Sequence, residues 1–209
     1  MATRKRNSTE SRKTLLLVTA TEPEALFFSQ MRKDCRYGNL TVVNSGATSL
    51  KQLISFTAKE KNRGRYDVTY ALFGLDDVGA TMDEVKEAAE ACAGRRIHLC
   101  HFNPSFKLWI YLHLGKPNAF IAAADAFDDP LGKAIEGFEW NSEYLLTKGL
   151  NLHMKLFPRH SVADQNARDY NKLAIQTTGE KATAMPELNM TITEVCGQAD
   201  MSHNTKVFK

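Results

Sequence analysis

His101-Phe102-Asn103-Pro104-Ser105-Phe106-Lys107-Leu108-Trp109-Ile110-Tyr111-Leu112-His113 joins the end of a hydrophobic strand to a helix that is apolar on nearly every side. Asn103 is placed to cap the first free helix amides, and Pro104 has a preset φ where no donor is needed. Phe106, Trp109, Ile110 and His113 recur at helical spacing, and Leu108 and Leu112 widen the apolar surface. A helix of that kind belongs inside a layered α/β domain.

Outward from this stretch, strands and helices alternate. Leu15-Leu16-Leu17-Val18 is a continuous apolar run, as expected of a strand covered on both faces. Thr21 and Glu24 form a capping-box pattern that opens a helix to about Cys35. Leu40 to Val43 reads as a strand and Ser49 to about Lys61 as a helix. Val68 to Phe73 is a third strand, followed by a loop from Gly74 to Gly79. Thr81 to Cys92 is a helix ended by Gly94, and Ile97 to Cys100 is a fourth strand. The alternation predicts an α/β fold, a mainly parallel sheet with helices on both faces, over residues 14–115. Residues 116–209 read as a helical extension with helices at Ala119–Ala126 and Asn166–Thr178. Loops are expected at Asp128-Asp129-Pro130 and Phe157-Pro158, and a poorly ordered end after about Gly197.

The chain has 209 residues, 43% of them hydrophobic, enough for a sizeable core. Residues 1–14 carry +4, and the remainder holds 22 basic and 23 acidic side chains. The balanced body argues against a protein that coats nucleic acid. The basic leader, residues 1–13, reads as a disordered, solvated tail. Cys35, Cys92, Cys100 and Cys196 show neither Cys-x-x-Cys nor zinc spacing. With no membrane-length apolar run and no signal-peptide core, the expectation is a reduced, cytoplasmic protein without a membrane partner.

Ligands of open parallel sheets collect beyond the carboxyl ends of the strands. The carboxylates leaving those ends are Glu22, Glu24, Asp76 and Asp77, a donor set suited to hard, oxygen-preferring Mg²⁺. Each also has a structural explanation: capping for Glu24, the helix dipole for Glu22, and local backbone bonding for the two aspartates. His98 and His101 are not placed to chelate a metal together, and His113 reads as a core histidine. Ser45 to Ser49 is a small phosphate-tolerant loop, and no Walker or dinucleotide loop is present.

Three blocks carry a resemblance to the RloB-like family. They are Leu15–Val18 with Glu24-Ala25-Leu26-Phe27-Phe28, Tyr66-Asp67 with Leu72 to Asp77, and Asn103-Pro104-Ser105-Phe106-Lys107-Leu108-Trp109 with His113. Asn189-Met190-Thr191 is a fainter fourth. The resemblance implies a Toprim-related core, a role in prokaryotic or phage defence beside an ATPase partner, and Mg²⁺-dependent nuclease or phosphoryl-transfer chemistry. In that chemistry Glu22 or Glu24 is the acid/base, and Asp76 and Asp77 bind the metal. The chain departs from the family at Thr19, Gly74 and Lys107, three positions where the family is acidic. Those departures favour a degenerate module that binds nucleic acid, nucleotide or a partner protein, with Lys107 and Asn103 as contacts. The metal-dependent enzyme is the alternative.

Overall fold

A computed structural model describes residues 13–202; the expected basic tail and the last residues of the chain fall largely outside that range. Strands β1 (Leu15–Thr19), β2 (Leu40–Asn44), β3 (Val68–Gly74) and β4 (His98–Phe102) form a sheet in the order β2-β1-β3-β4. Every pairing is parallel, with Leu15 opposite both Leu40 and Val68, and Tyr70 opposite His98. All five residues of β1 are buried, which explains why its apolar run does not alternate.

Successive β1 side chains feed different cores. Leu15 and Leu17 pack with Phe27, Phe28, Phe106 and Trp109, whereas Leu16 and Val18 pack with Leu50, Leu53 and Val85. One face is therefore covered by α1 (Glu22–Asp34) and α5 (Lys107–Leu114). The other is covered by α2 (Leu50–Gly64) and α4 (Met82–Ala93). Between β3 and α4 the expected loop contains a one-turn helix, α3 (Leu75–Val78), closed by Gly79 in the left-handed region.

The quoted stretch is interior, as its pattern requires: Phe106, Leu108, Ile110 and Leu112 are completely buried. Its helix, however, begins at Lys107 rather than Pro104. The Asn103 amide donates to Ala182 O at 2.7 Å, and the Pro104 carbonyl accepts from Asp76 N–H at 3.1 Å. With those backbone groups committed across the fold, the Asn103–Pro104 segment, joined by a cis peptide, runs as a loop. Asn103 is not the helix cap.

Beyond Gly115 the helices differ from expectation. Ala119–Ala126 contains only the start of a 3-10 turn (Ala124–Phe127), and the acidic stretch after it forms α6 (Asp128–Ala134). Phe127 and Leu131 anchor that segment in the core, and burial outweighs the turn propensity of Asp-Asp-Pro. The expected Asn166–Thr178 helix lies within α9 (His160–Thr178). Three further helices, α7 (Ser142–Leu146), α8 (Leu152–Leu156) and α10 (Met185–Cys196), are additional to those expected from the sequence. Their buried residues Tyr144, Leu152, Leu188 and Ile192 join the core that covers α1 and α5.

Candidate functional site at the sheet switch point

From β1 the chain steps outward to β2, then returns across β1 to β3 and β4. The strand order thus reverses between β1 and β3, where the connections following the two strands diverge and open a crevice. The connection after β1 brings Glu24 to this point, and the one after β3 brings Asp76 and Asp77. The loop after β4 adds Ser105, and the start of α5 adds Lys107.

Glu24 is completely buried. Its Oε2 accepts from the Thr21 amide at 3.0 Å, completing the capping half that the sequence pattern called for. Its Oε1 makes no hydrogen bond of good geometry, although the Gly74 amide is close enough to act on the carboxyl and lower its pKa. Burial first, and the negative charge of Asp77 second, push its pKa from 4.5 up to about 8. Asp77 is also shifted upward, chiefly by burial; the Gly74 amide and the Lys107 ammonium act in the opposite direction. Burial penalises the carboxylate form and so favours the protonated one, and carboxyls shifted in this way gather at functional sites.

Gly74 explains how tightly the two loops meet. A β-carbon there would lie 2.4 Å from Asp77 Oδ2 and 2.8 Å from the Ser105 Cα. Gly74 has ordinary extended dihedrals, so the requirement is one of space, not of backbone conformation. Asp77 fills the volume that a side chain at position 74 would need. Ser105, buried on the opposite wall, has an Oγ without a partner.

The other candidate residues separate from this pair. Asp76 is exposed on the rim. Glu22 is exposed and accepts from Ser142 Oγ at 2.8 Å, which ties it to α7. Thr19 is buried and donates its hydroxyl to Thr21 O at 2.9 Å. Lys107 Nζ is 2.5 Å from Asp128 Oδ1 of α6, so its charge is balanced from the extension. Asn103 is half-buried on the adjoining loop. The Ser45–Ser49 loop spends its polar groups internally: Ser45 Oγ donates to Thr19 O and accepts from Ala47 N–H, and Ser49 caps α2.

Sequence reading missed Ser105 and the Lys107–Asp128 pair. A serine after Asn-Pro has no distinguishing spacing, and the partner of Lys107 lies in a segment read as a loop.

A resident Mg²⁺ would require ionised oxygen donors converging on one point. Lys107 places a cation beside Asp77, and Gly74 offers no donor. Among the described residues no group of three or more His, Cys, Asp or Glu side chains is arranged to hold a metal ion. The residues present therefore do not fit a resident magnesium.

The class defined by this fold and site is an α/β protein with an all-parallel sheet, an acidic cluster at its switch point and packed C-terminal helices. The chain belongs to the RloB-like proteins, whose family model matches residues 15–193. The match extends past the α/β core to include α6 to α9 and most of α10. No curated protein and no solved structure matches the chain. Among the described residues, no helix is long and apolar enough to cross a membrane.

Proposed function

We propose that this RloB-like chain is a binding module of a defence-associated system, with a Toprim-like sheet edge that recognises a ligand without metal-dependent turnover. One observation carries the reading: the close approach of Asp77 and Ser105 to Gly74 leaves no room for a carboxylate at position 74. With glycine at position 74, the acids left on this loop to chelate Mg²⁺ are Asp77 and the exposed Asp76. Lys107 replaces a further acid with a cation.

Nucleic acid, nucleotide and partner protein remain the ligand classes, and electrostatics ranks them. Asp76 is exposed on the rim, whereas Asp128 is paired with Lys107 and Asp129 with Lys133, which leaves the rim close to charge balance. A balanced rim supplies no field that would gather a polyanion, so a protein partner fits this edge better than nucleic acid. An ATPase, the partner that the family resemblance implies, falls in that class.

A second reading rests on the unpartnered Glu24 Oε1 and Ser105 Oγ beside Asp77. Buried polar atoms without partners are rare away from functional sites, and these could be completed by a substrate phosphate bringing its own Mg²⁺. In that case Glu24 would be the general acid/base of a nuclease or phosphoryl-transfer enzyme. Incubation of plasmid, single-stranded DNA and tRNA with Mg²⁺ or Mn²⁺ separates the two readings, with Asp77→Asn and Glu24→Gln proteins as controls. The binding module predicts no metal-dependent cleavage by any of the three proteins. Cleavage by the wild type that both variants lose would establish the enzyme.

A further inference from the structure

Away from the sheet switch point, a groove of about 650 Å³ runs between the C-terminal half of α1 and the connection from α7 to α8. Its apolar wall contains Leu146 and Leu150, which are 57% and 55% exposed. Its opposite wall carries Arg32, Lys33 and Arg36.

This wall is held rigidly. The Gln30 side-chain amide donates to Leu145 O at 3.3 Å and Gly149 O at 3.1 Å, and its Oε1 accepts from His153 N–H at 3.3 Å. The Gly149 amide donates to Tyr144 O at 2.7 Å. A β-carbon at Gly149 would strike the Tyr144 ring at 2.4 Å, so the connection closes only with glycine there. One buried-side polar residue and a close-packed turn thus fix two leucines in solvent. Rigid presentation of apolar side chains lowers the ordering cost of binding.

The charge of the groove indicates the occupant. Arg32 and Lys33 occupy the last turn of α1, where the helix dipole favours cations. The dipole accounts for their sign but not for the neighbouring leucines. Among the described residues neither forms a salt bridge, while Arg36 pairs with Asp200 at 3.2 Å in a solvent-exposed contact. The acid on this wall, Asp34, lines the groove, but its carboxylate is largely buried and engaged with His153 Nδ1 at 2.8 Å. The groove therefore offers a cationic rim next to an apolar anchor.

We infer that this groove docks an acidic amphipathic peptide segment of a partner protein. Its apolar side chains would cover Leu146 and Leu150, and its carboxylates would meet Arg32 and Lys33. That arrangement is helix-in-groove recognition, with complementary charge setting specificity. The groove involves neither Glu24 nor Asp77 and does not depend on the reading of the sheet edge.

The test is fluorescence anisotropy of the full chain with a labelled peptide that has leucines at helical spacing and glutamates between them. Control probes are the same peptide with lysine for glutamate, the same peptide with serine for leucine, and a labelled DNA duplex. Saturable binding of the acidic peptide is expected, weakened about tenfold, or roughly 1.4 kcal/mol, by Leu146→Asp with Leu150→Asp. Arg32→Glu with Lys33→Glu should weaken it similarly and reverse the preference toward the lysine peptide. All four positions are on the surface, so both double variants should fold. Absence of binding, equal binding of the serine peptide, or tighter binding of the duplex through Arg32 and Lys33 would each overturn the inference.

Discussion

Asp77 occupies the space beside Gly74, with its Oδ2 2.4 Å from where a β-carbon at that position would stand. The two residues lie on opposite sides of the β3–α3 junction, and their contact lets the loop after β3 pack directly onto Ser105. Adding an acid at position 74 is a packing problem before it is a chemical one.

Gly74→Ala should therefore destabilise the fold. Relief of the overlap requires both Asp77 and the Ser105 backbone to move, a cost of about 1–3 kcal/mol for overpacking in a tight site. Gly74→Asp should cost at least as much and should not create metal-dependent cleavage. Urea unfolding of the three proteins checks the order of stability.

The alkaline limb of stability should come from Glu24. Its pKa is about 8 in the fold and near 4.5 in the unfolded chain, so the folded state retains an extra proton between those values. That stabilising contribution is fully present below about 4.5 and is lost as pH rises through 8. A tenfold difference in proton affinity between the folded and unfolded states is worth about 1.4 kcal/mol. The melting temperature should fall between pH 6.5 and pH 9, and Glu24→Gln should flatten the fall.

The acid limb has the opposite sign. His113 is 1% exposed and its Nδ1–H donates to Trp109 O at 2.9 Å. Burial lowers its pKa from 6.5 to about 3, and His101 and His160 are also shifted down by burial. Here the unfolded chain binds the extra proton, so stability falls as pH drops from 6.5 toward 3. Between about 4.5 and 6.5 the contributions of Glu24 and His113 run in opposite directions. A melting profile across pH should show a broad shoulder there with losses on both sides.

Lys107 provides a test of the metal argument. Its pair with Asp128 is partly solvated, with side chains 17% and 55% exposed. Lys107→Met should thus change stability by no more than about 1 kcal/mol. Lys107→Glu would set a third carboxylate near Asp77, and its melting temperature should rise on addition of Mg²⁺. The wild-type protein should show no such rise.

The four strands were legible because each is a short apolar run bounded by turn or cap signals. The structure extends them by a residue or two at their C-terminal ends and starts the fourth at His98 rather than Ile97. Glu24 was legible as a cap from Thr21-x-x-Glu24, but its burial was not, because the sequence does not show that Asp77 comes to face it. The start of α5 was misplaced for a similar reason: the partners of the Asn103 and Pro104 backbones, Ala182 and Asp76, are remote in sequence. The C-terminal helices were the least legible. α7 and α8 are five residues each, too short for helical periodicity to register, and they are held by burial of Tyr144 and Leu152 rather than by propensity.

The most direct test of the account is electron paramagnetic resonance of Mn²⁺ titrated into the wild-type protein at neutral pH, with Asp77→Asn beside it. If the sheet edge is a binding module without a resident metal, the signal of free aqueous Mn²⁺ should persist at stoichiometric protein and be the same for both. Loss of that signal with the wild type, restored by Asp77→Asn, would show a metal site at the switch point and contradict the account.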